Sequence, residues 1–442
     1  MTTTCTYDPA SQVTNILHQL TATSAQINKA EYLYNPVGNR TSLTDRRGAQ
    51  NFGYDPLDRL TSVSHPLLAT PQAFAYDAVG NRTTGGSVVN AGNQLTADAT
   101  HAYQYDDNGN LTRKTLLATG NFTQYTYDAE NRLTKVEEFA AGNPTAFATS
   151  TYRYDGLGRR IEKVANGQTK RYIYDGEDIL LEYDGANVLQ ARYTHGPGID
   201  EPMAVTKGGS TFFYHQDGLG SVTELTDSAG ATAKSYSYDA YGNIVDQTGT
   251  LEQPFTYTGR EFDSESGLMY YRARTYDPTT GRFLQEDPIG FRGGDINLYR
   301  YVRSNPTNRM DPSGTIDDAC SHYKRNCEAS GGLCIYDCNT APIMCQNPYV
   351  LPTLWGVPTA NVNCIRTCLQ AEDGIARQSK ANLTNDGCPS CVKDSVIDSY
   401  HRSCFERCGV EPGRYPGVWP FGNGSPRGRS GPVLGNNRPF PG

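Results

Sequence analysis

Cysteine is nearly absent from the first 314 residues of this chain, where Cys5 stands alone. That excludes a disulfide framework for this region. No apolar run approaches the roughly 18 residues that a membrane-spanning helix needs. No long amphipathic helix precedes residue 315, which excludes a helical bundle there. Charge of one sign is also scarce: the formal net charge is −8 over 442 residues, and no basic face marks residues 1–314. Nucleic-acid binding by this region is therefore not expected. A Walker loop, a dinucleotide fingerprint and a His-Glu-x-x-His pair are all missing. No cofactor and no metal site is expected. The N-terminus, MTTTCTYDPA, lacks the apolar core of a signal peptide.

What the chain does have is tyrosine, 30 in all, with 45 glycines and 25 prolines. Many tyrosines precede an aspartate: Tyr7, Tyr54, Tyr76, Tyr105, Tyr127, Tyr154, Tyr174, Tyr238 and Tyr276. Degenerate copies stand at Tyr34, Tyr193, Tyr214 and Tyr257. The steps between them are roughly 19 to 29 residues, a range typical of repeat architectures. In the copy QYTYDAENRLTKV, Tyr125 and Tyr127 alternate with polar residues, and Arg132-Leu133-Thr134-Lys135-Val136 alternates again as a return strand. This is strand chemistry. Asp128 to Asn131 between them is turn chemistry. Other copies place Gly-Asn in the turn, which suits the positive φ of a tight hairpin. Each copy therefore reads as strand, turn, strand, with neighbours pairing edges to bury their aromatics. The expected fold is mainly β: an antiparallel sheet with tyrosines along one face. About a dozen copies are few for closure, so an open, curved sheet with exposed edges is expected. The repeats start at once, without a polar cap. The chain accordingly reads as a piece of a longer protein, or as one that needs a partner at its N-terminal edge.

Composition changes near residue 315. Eleven of the 12 cysteines lie between Cys320 and Cys408. Cys334 and Cys338, Cys364 and Cys368, and Cys404 and Cys408 are each spaced i, i+4, which places both thiols on one side of a helix. Antiparallel helices near 361–378 and 392–408 would face Cys364 and Cys368 toward Cys404 and Cys408. Cys388 and Cys391 fall in the connection between them. A disulfide-stapled helical domain in an oxidising place is one reading. Zinc at Cys388-x2-Cys391 is the other, weakened because that knuckle is single. The odd count leaves one thiol free or paired elsewhere. His322 and His401 are the histidines of this region, and a Cys-His nucleophile pair there competes with disulfide bonding for the same thiols. The stretch from residue 413 is rich in Gly, Pro and Arg and reads as a disordered, solubilising tail. A weak anionic partner for its arginines is the alternative.

Residues 259–314 differ in kind. They contain Gly267-Leu-Met-Tyr-Tyr-Arg-Ala-Arg274, Tyr276-Asp277-Pro278, Gly281-Arg282-Phe283, Asp287-Pro-Ile-Gly290, Asn297-Leu-Tyr-Arg-Tyr-Val302, Asn305-Pro306 and Asp311-Pro-Ser-Gly314. This stretch closely resembles the core-associated segment that ends the repeat body of Rhs, or YD-repeat, proteins. With the repeats, the resemblance reaches back to about residue 5 and does not extend past 315. It implies a hollow β-shell enclosing a variable C-terminal effector, commonly a toxin. It also implies, for several bacterial members, an aspartyl autoprotease that cuts just after Asp-Pro-x-Gly-Leu. Others, including animal cell-surface relatives, use the shell in adhesion.

The division expected is then a repeat shell over 1–258, a core-associated domain over 259–314, a cysteine-rich effector over 315–412 and a tail over 413–442. Asp287 and Asp311 are the implied carboxylate pair, with Arg274 as supporting cation. Aspartyl proteolysis needs two carboxylates that share a proton and titrate together. Cleavage would involve Gly314, Thr315 and Ile316; where the family has leucine, this chain has Thr315. Asp-Pro-x-Gly equally suits a type I turn, so a purely structural role competes for both aspartates. Expected partners are the chain's own C-terminal domain as cargo, a secretion or delivery apparatus and an immunity protein. A secreted or cell-surface location is expected. The alternative function is a surface protein that binds glycans or another protein and does not cut itself.

Overall fold

The computed structural model describes residues 1–315. The helices expected near 361–378 and 392–408, the eight cysteine candidates and Ile316 lie outside the described residues. Within them, antiparallel strands joined by hairpins predominate, with three short 3-10 turns. The strands form three sheets. Seven run from Thr2–Tyr7 to Gln72–Ala73, sixteen from Val88–Val89 to Ile244–Thr248, and four from Glu261–Asp263 to Arg282–Phe283. In each sheet, neighbours in sequence are neighbours in space. The sheets are open, as expected, and none closes into a barrel. The edge strand Thr2–Tyr7 is exposed along its whole length.

The Tyr-Asp pair has a division of labour. Asp128 starts the turn: its N–H donates to the Arg132 carbonyl at 3.0 Å, and Asn131 N donates back to the Asp128 carbonyl at 3.0 Å. Its carboxylate oxygen Oδ1 accepts from Glu130 N at 2.9 Å and Arg132 N at 3.0 Å. A side chain thus satisfies turn amides that no strand can reach. The third loop residue is left-handed, Asn131 with φ 60° or Gly109 with φ 79°, and the register slips by one beside the tyrosine. The hairpin is therefore wider than the tight form expected for Gly-Asn, with a bulge in the return strand. Only the glycine takes the positive φ; Asn110 acts through its side chain, donating to Asp106 Oδ2 at 3.0 Å.

The tyrosine joins one repeat to the one before. Tyr127 donates its hydroxyl to the Leu111 carbonyl at 2.8 Å, Tyr154 to Leu133 at 2.6 Å and Tyr76 to Leu60 at 2.7 Å. Arginines complete the link: Arg132 pairs with Asp128 at 2.7 Å and lies over the Tyr154 ring at 5.1 Å. Tyrosines two residues earlier on the same face, among them Tyr103, Tyr125, Tyr152 and Tyr172, are buried. This is the period-2 alternation read from the sequence.

Each repeat contributes two strands, so the Tyr-Asp turns line up along one end of the sheets. Residues 257–314 lie across that row. Asn305 donates to Asn39 Oδ1 at 3.1 Å, Arg282 to Asn81 Oδ1 at 3.1 Å, Tyr299 to the Gly109 carbonyl at 2.8 Å and Tyr270 to the Gly158 carbonyl at 3.0 Å. The approach is close: a Cβ on Gly109 would meet the Tyr299 hydroxyl at 2.7 Å. The seven-stranded sheet packs on the far strands of the sixteen-stranded one, where Gly218 N donates to the Tyr32 hydroxyl at 2.7 Å and Asn28 to Thr223 at 2.9 Å. Tyr271, Tyr276, Phe283 and Tyr301 join Tyr193, Tyr214 and Leu225 in one cluster. Burying each such ring contributes about 1.5–3 kcal/mol.

Candidate active site

The four-stranded sheet presents its sharpest hairpin to the end of the described chain. Tyr271 pairs with Arg274, leaving Arg272 and Ala273 as the turn; Arg272 takes φ 59°. Arg274 opens the next strand, almost fully buried, with its guanidinium 3.6 Å from the Phe283 ring centroid. Phe283 thus holds the cation flat. One nitrogen, Nη2, lies 3.2 Å from Asp287 Oδ2 and 3.1 Å from Asp311 Oδ2. Nη1 donates to the Leu298 carbonyl at 3.0 Å, and Nε donates to the Gly314 carbonyl.

Both Asp-Pro motifs are turns, and both also face Arg274. Asp287 accepts Ile289 N on Oδ1 at 3.0 Å, and its carbonyl accepts Gly290 N at 2.8 Å. Asp311 accepts Gly314 N at 2.8 Å and Thr315 N at 3.1 Å on Oδ1. In each case Oδ1 shapes the loop while Oδ2 points to the shared cation. The structural and chemical readings of these residues do not compete, because they use different oxygens.

The backbone at the chain's described end is fixed by steric need. Gly314 has φ 72°, and a Cβ there would fall 2.1 Å from the Tyr271 carbonyl oxygen, so only glycine fits. Opposite it, the Thr315 carbonyl oxygen and Asp287 Oδ2 lie 2.9 and 3.0 Å from the point where a Cβ on Gly293 would sit. The Thr315 carbonyl and the Asp287 carboxyl therefore both face the bare side of Gly293. Arg274, Asp287, Asp311, Gly293, Asp295 and Thr315 line one small cleft.

Burial pushes the Asp287 carboxyl above its ordinary range; Arg274 opposes this, and Asp295 adds to it. Burial also pulls the Arg274 guanidinium down, against the pull of Asp311 and Asp287. A carboxyl whose hold on its proton is strengthened by burial thus faces the same bare glycine as a carbonyl oxygen. Sequence reasoning named Asp287, Asp311, Arg274, Gly314 and Thr315, and the structure brings these together. It did not single out Gly293 or Asp295, and it met Arg300 only as part of the Asn297–Val302 stretch. Asp295 pairs with Arg300 at 2.7 Å, and neither residue sits in a repeated motif that would have flagged it. Among the described residues, no group of His, Cys, Asp and Glu is arranged to hold a metal ion.

Consecutive Tyr-Asp hairpins, a closing segment across their turns and a two-aspartate cleft at its end define a YD-repeat protein of the Rhs kind. The chain belongs to the teneurin YD-shell family, whose model matches residues 1–147 and 69–307. It is 37% identical over 280 residues to the tRNA3(Ser)-specific nuclease WapA of Bacillus spizizenii, a match covering 59% of this chain and 12% of that protein. It is 32% identical over 324 residues to the double-stranded DNA deaminase toxin A of Burkholderia cenocepacia, covering 64% of this chain and 22% of that one. The chain thus spans less than a quarter of the length of these relatives. The fold is similar to the Photorhabdus luminescens Tc holotoxin pore, with TM-score 0.51 and 21% identity over 72% of this chain and 18% of that one. No helix among the described residues is long and apolar enough to cross a membrane.

Proposed function

We propose that this chain is a toxin-delivery polypeptide that cuts itself. The repeats and the segment across their turns form a hollow, incomplete shell; the chain beyond residue 315 is the cargo; and Asp287 with Asp311 hydrolyses the Thr315–Ile316 bond. A delivery apparatus and an immunity protein are the partners this role requires. The toxin names of the relatives support the cargo role. The convergence of both Asp-Pro carboxylates on Arg274, beside the Thr315 carbonyl, carries the cutting role.

The chemistry follows from the positions. Asp311, whose Oδ1 already accepts two backbone N–H groups, is the ionised partner and takes a proton from water. Asp287, which faces Gly293 together with the Thr315 carbonyl oxygen, donates its proton to that oxygen as the new carbon–oxygen bond forms. The tetrahedral carbon then expels the Ile316 nitrogen, which leaves with a proton from Asp311, while one hydroxyl on that carbon returns its proton to Asp287 as the carboxyl's C=O forms. One water is consumed, and a carboxyl at Thr315 and an amine at Ile316 result. Arg274 offsets charge on both carboxylates and holds the Gly314 carbonyl in line.

Intact mass under denaturing conditions tests this. Wild type should give two fragments, ending at Thr315 and beginning at Ile316, that stay together when native. Asp287→Asn and Asp311→Asn should each leave the chain whole, and Thr315→Leu should speed cutting. A wild type and a Thr315→Leu variant that both remain whole from acidic to neutral pH would refute the cutting and leave an intact surface protein as the reading.

A further inference from the structure

Three consecutive residues of the tight hairpin hold three consecutive carbonyls of the chain's described end. Arg272 Nη1 donates to the Pro312 carbonyl, Ala273 N to the Ser313 carbonyl at 3.2 Å, and Arg274 Nε to the Gly314 carbonyl. This resembles a short strand held against an edge, one residue short of Thr315. Arg274 and Ala273 belong to the hairpin's own neighbourhood. Arg272 does not stop there.

Its guanidinium reaches back into the repeat array. Nη2 lies 2.8 Å from Asp200 Oδ1 and 3.8 Å from Asp178 Oδ1, and donates to the Glu177 carbonyl at 3.3 Å. Arg260 binds the same Asp200 oxygen from the other side. Asp200, almost fully buried, also sets a close approach: a Cβ on Gly259 would meet the Asp200 carbonyl oxygen at 2.6 Å. Arg272 therefore has two sets of partners separated widely in sequence. One is the backbone just before the Thr315–Ile316 bond. The other is the turn at 175–178 and the loop at Asp200. Arg272 holds a left-handed φ of 59° at this turn, a conformation that a side chain adopts at a steric cost.

We propose that Arg272 is a positioning residue that registers the Thr315–Ile316 bond over the aspartate pair, and that it does so only while Asp200 and Asp178 of the repeat array hold it. Cutting is thereby conditional on docking of the repeats around residues 175–200. The proposal rests on the self-cutting reading of the cleft. Arg272 touches neither reacting carboxylate, so its loss should lower the rate without moving the pH dependence. Misplacement of a reacting group by about 1 Å lowers a rate by about a hundredfold.

The test uses the full chain. Cutting is followed by intact mass from pH 4 to 8 in wild type, Arg272→Gln, Arg272→Lys and Asp200→Asn. Arg272→Gln and Asp200→Asn should cut about ten- to a hundredfold more slowly than wild type, with the midpoints of the pH profile unchanged. Arg272→Lys should recover part of the loss. Amide hydrogen exchange in an Asp287→Asn background, where no cutting occurs, supplies the independent arm. There, Arg272→Gln should speed exchange at Ala273 and Gly314 by about tenfold or more while strands such as Tyr172–Tyr174 stay protected. Wild-type cutting rates in Arg272→Gln, or a shifted pH midpoint, overturn the proposal. If wild type does not cut at all, the aspartyl reading fails by itself. Exchange then decides alone whether Arg272 positions the segment: unchanged protection at Ala273 and Gly314, or protection lost throughout the sheet, counts against it.

Discussion

Removing Arg160 should separate the closing segment from the repeats. Its side chain, almost fully buried, pairs with Glu261 at 2.8 Å and with Asp263, both equally buried. Lys163 supplies a second cation to Asp263 at 2.9 Å and to Glu265 at 2.9 Å. Arg160→Met keeps much of the side-chain volume and its contact with the Tyr152 and Tyr270 rings. It leaves Glu261 without its charge partner and Asp263 with Lys163 alone. Breaking a buried pair from one side costs about 3–5 kcal/mol, because the remaining charge has no water. Lys163 should keep the loss at the lower end, near 3 kcal/mol. The assay is denaturant unfolding followed by tyrosine fluorescence, at several pH values. Burial alone would raise the Asp263 carboxyl; Arg160 and Lys163 override it and hold the group below its ordinary range. In wild type this carboxylate therefore contributes stability above its unfolded pKa, near 3.9, and that contribution is lost as pH falls through the depressed folded value. In Arg160→Met the depression weakens, so the deficit should hold from pH 7 to about 4 and shrink only below that, as pH falls through the folded values. A loss under about 1 kcal/mol at pH 7, unchanged at about pH 3, would refute the reasoning, since it would mean that the acids find water or another cation.

Three further outcomes follow from named contacts. Burial lowers both His18 and His215, the latter to about 3, and their rings lie 4.9 Å apart. Groups with depressed folded values contribute stability above the unfolded pKa of about 6.5 that is lost on acidification, so the melting temperature should fall below pH 6.5, and His215→Gln should flatten that fall. Asp295→Asn removes a charge that raises Asp287, and so the alkaline limb of self-cutting should move to lower pH in a rate profile. Tyr127→Phe removes one hydroxyl from the Leu111 carbonyl and should cost about 0.5–1.5 kcal/mol in denaturant unfolding.

The parts of this fold legible in the sequence are those set by neighbours in the chain. Alternation at Tyr125 and Tyr127 gave the strand and its buried face, and Asp128 with Asn131 gave the turn, because each acts within a few residues. The division into separate sheets was not legible. The copy at Tyr76 reads like any other, yet only a single bridge, Tyr76 to Arg82, remains there. Pro71 before it and Gly85-Gly86 after it break the pairing, and Tyr76 instead shares a hydrogen bond with the Tyr241 hydroxyl at 2.9 Å. The cleft was legible only in part. Asp287, Asp311 and Arg274 came from the resemblance to Rhs proteins, and their geometry agrees with the roles it implies. Arg272 with Asp200, and Arg160 with Glu261, join residues 72 and 101 positions apart, a separation at which no spacing rule speaks.

The order of the meander sets a timetable for synthesis. Within each sheet a hairpin pairs with the one just made, so strand pairing has only short-range contacts to wait for and can proceed as the chain emerges. The last strap is different: Asn305 must find Asn39 across 266 residues, and Arg282 must find Asn81 across 201. Contacts this far apart in sequence carry a large loop-closure entropy. During the time a ribosome needs to add residues 257–314, the finished row of turns stands without its cover, and a chaperone or a misplaced strand has its best opportunity to occupy that end.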